Sequence, residues 1–380
     1  MKILVVAGGT GGHMFPALAV ADKIKEINPS ADIVFCIDKR IKEKASSILK
    51  YKYLLLEAPK MPYGITLRWF PFFAKLLSAY IKAGGILKEV NPDIVVGFGA
   101  YICGPALTYA KRIGKKVIIH EQNVTMGRAN RFLSGMSDKI AISFDGPQYK
   151  KDKRFIITGN PIRGQLLKDL LALDKRGSRE LLELGANRKT ILVVGGSLGS
   201  HVINTTFLQM LNRLPDNILN DLQIIHLTGE AEFANVQSAY KDIKVKYKAY
   251  PFFERMGLLY KAADFAVCRA GASTVAELLH FALPAILIPY TGAGAHQVQN
   301  ARFLEENSAG LVIEEKRLTP DTLKSSVLAL LNDNERLSSL SRNAHSLANK
   351  DAAKNLAEII LAAGSPKPKA QSPQPKAQGT

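Results

Sequence analysis

One pattern occurs twice and limits the fold more than any other feature. Ile3-Leu4-Val5-Val6-Ala7-Gly8-Gly9-Thr10-Gly11-Gly12-His13 is echoed 188 positions later by Ile191-Leu192-Val193-Val194-Gly195-Gly196-Ser197-Leu198-Gly199-Ser200-His201. Each copy reads as a buried strand, a glycine turn and the start of a helix. Further Val/Ile-rich runs alternate with helical patterns: Ile33–Ile37, Ile94–Gly97, Val117–His120 and Lys139–Ile142, then Gln223–Leu227, Val245–Lys248, Phe265–Val267 and Ala285–Ile288. Alternation of this kind implies βαβ units and parallel sheets. A chain of 380 residues exceeds what one core usually serves. The reading is therefore α/β with two similar domains, residues 1–160 and 161–345, divided near Thr158-Gly159-Asn160-Pro161, where Gly and the residue before Pro disfavour helix. Residues 346–364 form a last helix. Residues 365–380 are Pro, Lys, Gln and Ala without an aromatic or branched aliphatic side chain, and are expected to be disordered.

Composition removes other classes. A hydrophobic share of 47% with 22% charged residues is that of a globular protein. The three cysteines, Cys36, Cys103 and Cys268, are far apart, which fits a reducing compartment and offers no structural zinc site. No DxD pair or His/Asp metal cluster is present and no GxSxG elbow, which counts against metal-dependent and serine-hydrolase chemistry; neither a metal nor a cofactor is expected. No segment reaches the ~18–20 uninterrupted apolar residues of a membrane span, and Met1–Val6 runs into glycine too soon for a signal peptide. The expectation is a cytoplasmic protein, soluble or peripheral. Its net charge of +18 is uneven: residues 1–160 carry 25 Lys and Arg against 12 Asp and Glu, the remainder 26 against 21. Such asymmetry suits an anionic partner (nucleic acid, phospholipid headgroups or a phosphorylated substrate), although solubility alone also favours a basic surface.

Four glycine loops, Gly8–Gly12, Gly97–Gly104, Gly195–Gly199 and Gly271–Thr274, could present bare N–H groups to phosphate at helix starts. A dinucleotide fingerprint fits poorly, because Met14 stands where the third glycine belongs, although Asp38 is placed as a ribose carboxylate would be. No loop continues as a Walker A motif. In Arg269–Glu277, Ser273 or Thr274 can cap the helix, and Glu277 either takes ribose hydroxyls or completes a capping box. His120-Glu121-Gln122-Asn123 ends a strand where α/β proteins bind ligands, or is a solvated loop. His13 could be a base, a phosphate donor or a plain helix-start residue. His296, Gln297 and Asn300 make another polar group. In Ile65–Leu87 aromatics crowd among Arg68, Lys75 and Lys82; the stretch is a core helix, with Trp69, Phe70 and Phe73 as its membrane-facing part.

Taken in order, Gly8–His13, Gly97–Tyr101 with Gly104-Pro105, His120–Asn123, Gly159–Arg163, Gly195–Gly199, Arg269–Glu277 and His296-Gln297 before Asn300-Ala301 resemble the MurG family of bacterial cell-wall glycosyltransferases along residues 1–362. The resemblance implies a GT-B fold, two Rossmann-like domains facing across a cleft, with the C-terminal helix crossing back to the first. It implies inverting transfer of N-acetylglucosamine from UDP-N-acetylglucosamine to the 4-hydroxyl of the muramoyl sugar of lipid I, forming lipid II on the cytoplasmic face of the cell membrane. Carried over by motif, the donor contacts are Thr10, Gly11, Gly12, Asn123, Arg163, Ser197, Phe253, Ala272, Ser273, Thr274, Val275, Ala276, Glu277 and Gln297. Phe253 would hold uracil through its backbone, Glu277 the ribose, and Ser197 with Arg163 the diphosphate. Gly9, Gly99 and Tyr101 would meet the acceptor pyrophosphate, with His13 as base and Glu121 as second candidate. Trp69, Phe70, Phe73, Lys75 and Lys82 would rest on an anionic membrane. Other cell-wall synthesis proteins are expected partners, and nucleic acid is not. The sequence departs from the family at Cys36–Arg40, which lacks its Gly-Thr, and at Ala295, where an acid commonly precedes His-Gln. A different UDP-sugar transferase or a UDP-N-acetylglucosamine 2-epimerase is the competing enzyme reading.

Overall fold

A computed structural model describes residues 1–8, 11–42, 49–62, 64, 67, 69–146, 149, 151–196, 198–292 and 296–364. Gly9, Thr10, Ser197, Arg68 and the tail 365–380 therefore lie outside the described residues.

Two parallel sheets form, one from each half of the chain. The first contains β1 (Lys2–Ala7), β2 (Asp32–Asp38), β3 (Lys52–Leu56), β4 (Ile94–Gly97), β5 (Lys116–Glu121), β6 (Lys139–Ile142) and β7 (Phe155–Ile157), in the order β3-β2-β1-β4-β5-β6-β7. The second contains β8 (Lys189–Val194), β9 (Leu222–Leu227), β10 (Lys246–Tyr250), β11 (Phe265–Cys268), β12 (Ala285–Leu287) and β13 (Leu311–Val312), in the order β10-β9-β8-β11-β12-β13. Counted within its own half, each sheet starts as strands 3-2-1-4-5-6, the doubly wound order. The repeated sequence pattern supplies the first strand of each sheet, β1 and β8.

Helices cover both faces of each sheet, so alternate residues of one strand enter different cores. Leu4 and Val6 pack with Val95 and Ile119, while Ile3 and Val5 pack with Ile94 and Val96. In the second sheet Leu192 and Val194 separate from Ile191 and Val193 in the same way. This is why the interior strands read as continuous apolar runs. Strands β3, β7 and β13, which the sequence did not announce, all lie at sheet edges.

Seven helices carry the rest of the argument: α1 (Gly11–Ile27), α2 (Trp69–Val90), α3 (Cys103–Arg112), α4 (Gly164–Ala172), α5 (Ala272–His280), α6 (His296–Glu306) and α7 (Ala352–Gly364). Although α7 follows the second sheet, its Leu356, Ala357 and Ile360 pack into the first sheet's core beside Ile3 and Val5. The chain thus passes between lobes twice. The two links touch: a Cβ on Gly159, whose φ is +81°, would come within 2.5 Å of Asn349 Cβ.

Helix α2 is long and apolar enough by length and composition to cross a membrane, although Lys75 and Lys82 interrupt its apolar run. One side of it nevertheless packs inward through Phe72, Ala79, Ala83, Leu87 and Val90. The opposite side exposes Phe70 (77% accessible), Phe73, Leu77 and Ile81 (65%) at helical spacing, with Lys75 and Lys82 also exposed.

Candidate active site

In a doubly wound sheet the chain leaves neighbouring central strands toward opposite faces, which opens a crevice at their C-terminal ends. In the first lobe this point lies between β1 and β4. His13, two residues into α1, meets the loop after β4 there. Gly99 has φ +91°, and a Cβ on it would lie 2.9 Å from the His13 ring, so only glycine lets the loop come this close. His13 Nδ1 lies 3.2 Å from Gln122 Oε1. Gln122 Nε2 donates to Phe98 O at 2.9 Å and lies 3.2 Å from His120 Nδ1, while His120 Nε2 lies 3.2 Å from Gly159 O. Burial pushes His120 down to about 4, outweighing the Gly159 carbonyl and Glu121, which favour its charged form. Burial also lowers the pKa of His13, and His296 from the other lobe acts in the same sense, against Glu121, Gln122 and the Phe98 carbonyl.

His120, Glu121 and Gln122 are buried, which overturns the solvated-loop alternative. Glu121 accepts from the Asn123 backbone N–H (3.0 Å), Asn123 Nδ2 (3.0 Å), the Gly127 N–H (2.9 Å) and Asn130 Nδ2 (2.9 Å). Its carboxylate thereby fixes the turn that carries Asn123 toward the second lobe.

The corresponding point of the second lobe lies between β8 and β11. Helix α5 starts just beyond β11 with Gly271 as N-cap, extended at φ −64° and ψ 145° and without a side-chain capping bond. This corrects the expectation that Ser273 or Thr274 caps the helix. Both sit inside it, and Ser273 Oγ is buried without a partner among the described residues. Glu277 is buried one turn further in and accepts a 2.6 Å hydrogen bond from Tyr260 OH, so it completes no capping box. Burial raises the Glu277 pKa, opposed by the Arg163 cation and the Tyr260 bond.

Arg163 stands at the N-cap of α4, immediately after the first link between lobes. Its guanidinium lies 4.4 Å from the centroid of Phe15 on α1, and its Nε is buried without a partner among the described residues. A cation stacked on the first lobe thus faces a carboxylate of the second. Nearby, Gln297 Oε1 accepts from the Ala270 and Tyr290 N–H groups at 3.3 and 3.0 Å, and buried His296 Nδ1 has no partner among the described residues. Arg269 is committed elsewhere, to Glu315 at 2.8 Å and Ser200 Oγ at 2.9 Å.

The lobes meet through these loops. Asn300 Oδ1 accepts from the Val124 N–H at 3.0 Å, and Asn300 Nδ2 donates to Asn123 Oδ1 (3.1 Å) and Ala270 O (3.0 Å). Asn160 Nδ2 donates to Ala272 O at 3.1 Å. The structure therefore gathers His13, Glu121, Asn123, Arg163, Ala272–Glu277 and Gln297 around the facing strand ends, with Gly11 and Gly12 in the first turn of α1 and Gly99 in the loop beside His13. Half-buried Tyr101 opens the turn into α3, and Phe253 follows β10 with its ring 4.8 Å from Tyr250. Trp69, Phe70, Phe73, Lys75 and Lys82 are all carried by α2 of the first lobe. Asp38, which a dinucleotide site would use for ribose, instead accepts from Arg40 N at 2.9 Å and Nε at 2.8 Å. Phe15 and Tyr260 are the participants that the sequence did not point to.

Two doubly wound lobes facing across a cleft define the GT-B class of glycosyltransferase folds. The Glycosyltransferase family 28 N-terminal domain matches residues 3–142 and its C-terminal domain residues 190–356. A protein of Alkaliphilus metalliredigens named UDP-N-acetylglucosamine–N-acetylmuramyl-(pentapeptide) pyrophosphoryl-undecaprenol N-acetylglucosamine transferase is 36% identical over 90% of this chain and 93% of its own length. A protein of the same name from Acetivibrio thermocellus is 34% identical over 95% and 97%. The crystal structure of Acinetobacter baumannii MurG superposes with a TM-score of 0.75 at 26% identity, covering 95% of this chain and all of that one. The chain belongs to glycosyltransferase family 28 and, within it, to the MurG family. A UDP-GlcNAc 2-epimerase from Neisseria meningitidis also superposes, with a TM-score of 0.66 at 16% identity over 95% of this chain and all of the other, a likeness of fold alone.

Proposed function

We propose that this chain is a hexosyltransferase that moves N-acetylglucosamine from UDP-N-acetylglucosamine to the 4-hydroxyl of the muramoyl sugar of lipid I, with inversion, making lipid II for peptidoglycan. The observation that carries the site assignment is Arg163, a half-buried cation with an unpartnered Nε that acts on Glu277 of α5. A diphosphate there would meet the guanidinium, the helix N-terminus and the unpartnered Ser273 hydroxyl. Glu277 lies one turn deeper, where it would accept from the ribose hydroxyls, and the backbone at Phe253 would hold uracil. Gly11, Gly12, Asn123 and Gln297 complete the donor contacts, and Thr10 and Ser197 are assigned by motif alone.

The reaction is one displacement. His13 takes the proton of the acceptor hydroxyl as that oxygen bonds to the anomeric carbon, and the bond from that carbon to the β-phosphate oxygen breaks. Charge then grows on UDP, where Arg163 and the α5 N-terminus stabilise it. Gly99 and Tyr101, with Gly9 by motif, would hold the acceptor pyrophosphate on the His13 side.

A lipid-linked acceptor also accounts for α2. Its exposed Phe70, Phe73, Leu77 and Ile81, with Lys75 and Lys82 beside them and Trp69 at the helix start, suit an anionic headgroup region on the cytoplasmic face of the cell membrane. Neighbouring cell-wall synthesis enzymes would meet the chain there. Transfer of radiolabel from UDP-N-acetylglucosamine into a lipid I analogue tests the reaction. Label appearing as another UDP-sugar without acceptor would favour the epimerase alternative instead.

A further inference from the structure

We propose that Gln122 and His120 are positioning residues that hold His13 in the tautomer with hydrogen on Nδ1 and the lone pair on Nε2. The inference deepens the reading of His13 as base, on which it rests.

The argument is a chain of forced choices between donor and acceptor. It starts at a backbone carbonyl, Gly159 O, which can only accept; Ser143 Oγ, 3.4 Å from the same nitrogen, donates its hydrogen to Glu121 O, so the facing His120 Nε2 carries hydrogen. His120 is fully buried and neutral, and its other nitrogen, Nδ1, must then accept. The atom facing that nitrogen is the Gln122 amide nitrogen, which also donates to Phe98 O. Two acceptors thus fix which end of the amide is which, the usual ground for assigning it. Gln122 Oε1 is left facing His13 Nδ1 at 3.2 Å, and a carbonyl oxygen requires a donor there. Neutral His13 then has one nitrogen for an incoming proton, Nε2.

An amide does here what a carboxylate does in a hydrolase triad, with a different electrostatic result. A carboxylate would fix the tautomer and raise imidazole basicity. A neutral amide fixes it without adding negative charge, so burial keeps His13 unprotonated. The groups facing His13 are Glu121 and His120 from β5 and His296 from α6. Glu121 is occupied by four N–H donors, which leaves the hydrogen-bonding role to Gln122.

Three measurements test this. In ¹⁵N imidazole spectra of the full-length enzyme, His13 should give the Nδ1–H signature, and an Nε2–H signature overturns the proposal whether or not any variant folds. Gln122→Met should lower kcat by about 10²–10⁴-fold, the scale of a misplaced tautomer, with KM for UDP-N-acetylglucosamine within about twofold. Gln122→Glu keeps an acceptor for His13 but adds charge, and should move the acid limb of the kcat–pH profile upward by about one unit. His13→Ala is the control. If it retains turnover, the base reading itself fails. If it abolishes turnover while Gln122→Met keeps kcat within about twofold, or raises KM alone, the relay is wrong and the base reading stands.

Discussion

Tyr260→Phe gives a test in which one oxygen is removed and the ring is kept. The ring packs 5.2 Å from Phe281, and Phe preserves that contact, so no cavity forms. The lost hydroxyl donates at 2.6 Å to Glu277 in a fully buried setting. A hydrogen bond to a charged group is worth about 1.5–3 kcal/mol, and one between neutral groups about 0.5–1.5 kcal/mol. The cost of the substitution therefore depends on whether Glu277 is ionised. Burial raises the folded pKa of Glu277 above its unfolded value, so its ionisation opposes folding as pH rises through the folded pKa. Removing the donor raises that pKa further. The stability difference between variant and parent should grow by about 1 kcal/mol from below the Glu277 pKa to about pH 8. For a lobe of this size that is an additional loss of about 2–4 °C in Tm. Thermal unfolding across that range would measure it, with UDP affinity by calorimetry expected to fall about three- to tenfold near neutrality. An equal loss of Tm at both ends, with UDP affinity unchanged, would refute the description of Glu277 as a buried carboxylate tuned by Tyr260.

Arg163→Ala should raise KM for UDP-N-acetylglucosamine at least about tenfold, and Phe15→Leu about threefold, the scale of a partly buried cation–π contact. In an Arg163→Ala background Phe15→Leu should cost nothing more, and additive losses would count against the stacking role. Replacing Phe70 and Leu77 by Ser should weaken sedimentation with anionic vesicles at least about tenfold, while transfer to a short-chain soluble acceptor continues; unchanged vesicle binding would remove α2 as the docking face. Gly99→Ala places a methyl against the His13 ring at a left-handed φ and should lower kcat by at least about tenfold with little change in donor KM. A near-parental kcat would show that the His13 ring has room to move.

Interior strands were legible because both sheet faces are covered, so β1, β4, β8 and β11 had to be apolar throughout. The edges were not. Strand β13 is two residues long, and β7 follows the charged run Lys150–Arg154, so neither has the length or pattern that marks a strand. The glycine loops pointed to the candidate site because close approach limits what can occupy them. Ser273 and Thr274 misled as caps because the chain needs only Arg269–Gly271 to turn from β11 into α5, and Gly271 adopts the extended cap geometry itself. Tyr260 lies 17 residues from the carboxylate it serves, and Phe15 is separated from Arg163 by most of a lobe. Only the folded arrangement brings such partners together. The residues of the His13 relay were visible as a polar cluster, but their direction of donation depends on Gly159 and Phe98 carbonyls that no residue type reveals.

Helix α7 returns to the first lobe and closes its core. Residues near the amino terminus do not acquire their full packing until Leu356 and Ile360 have been synthesised, so the half that is made first is completed last. Trimming the carboxyl-terminal helix should therefore loosen the opposite end of the sequence. The two connections lie side by side at Gly159 and Asn349, so a side chain at Gly159 would push them apart and disturb both crossings at once.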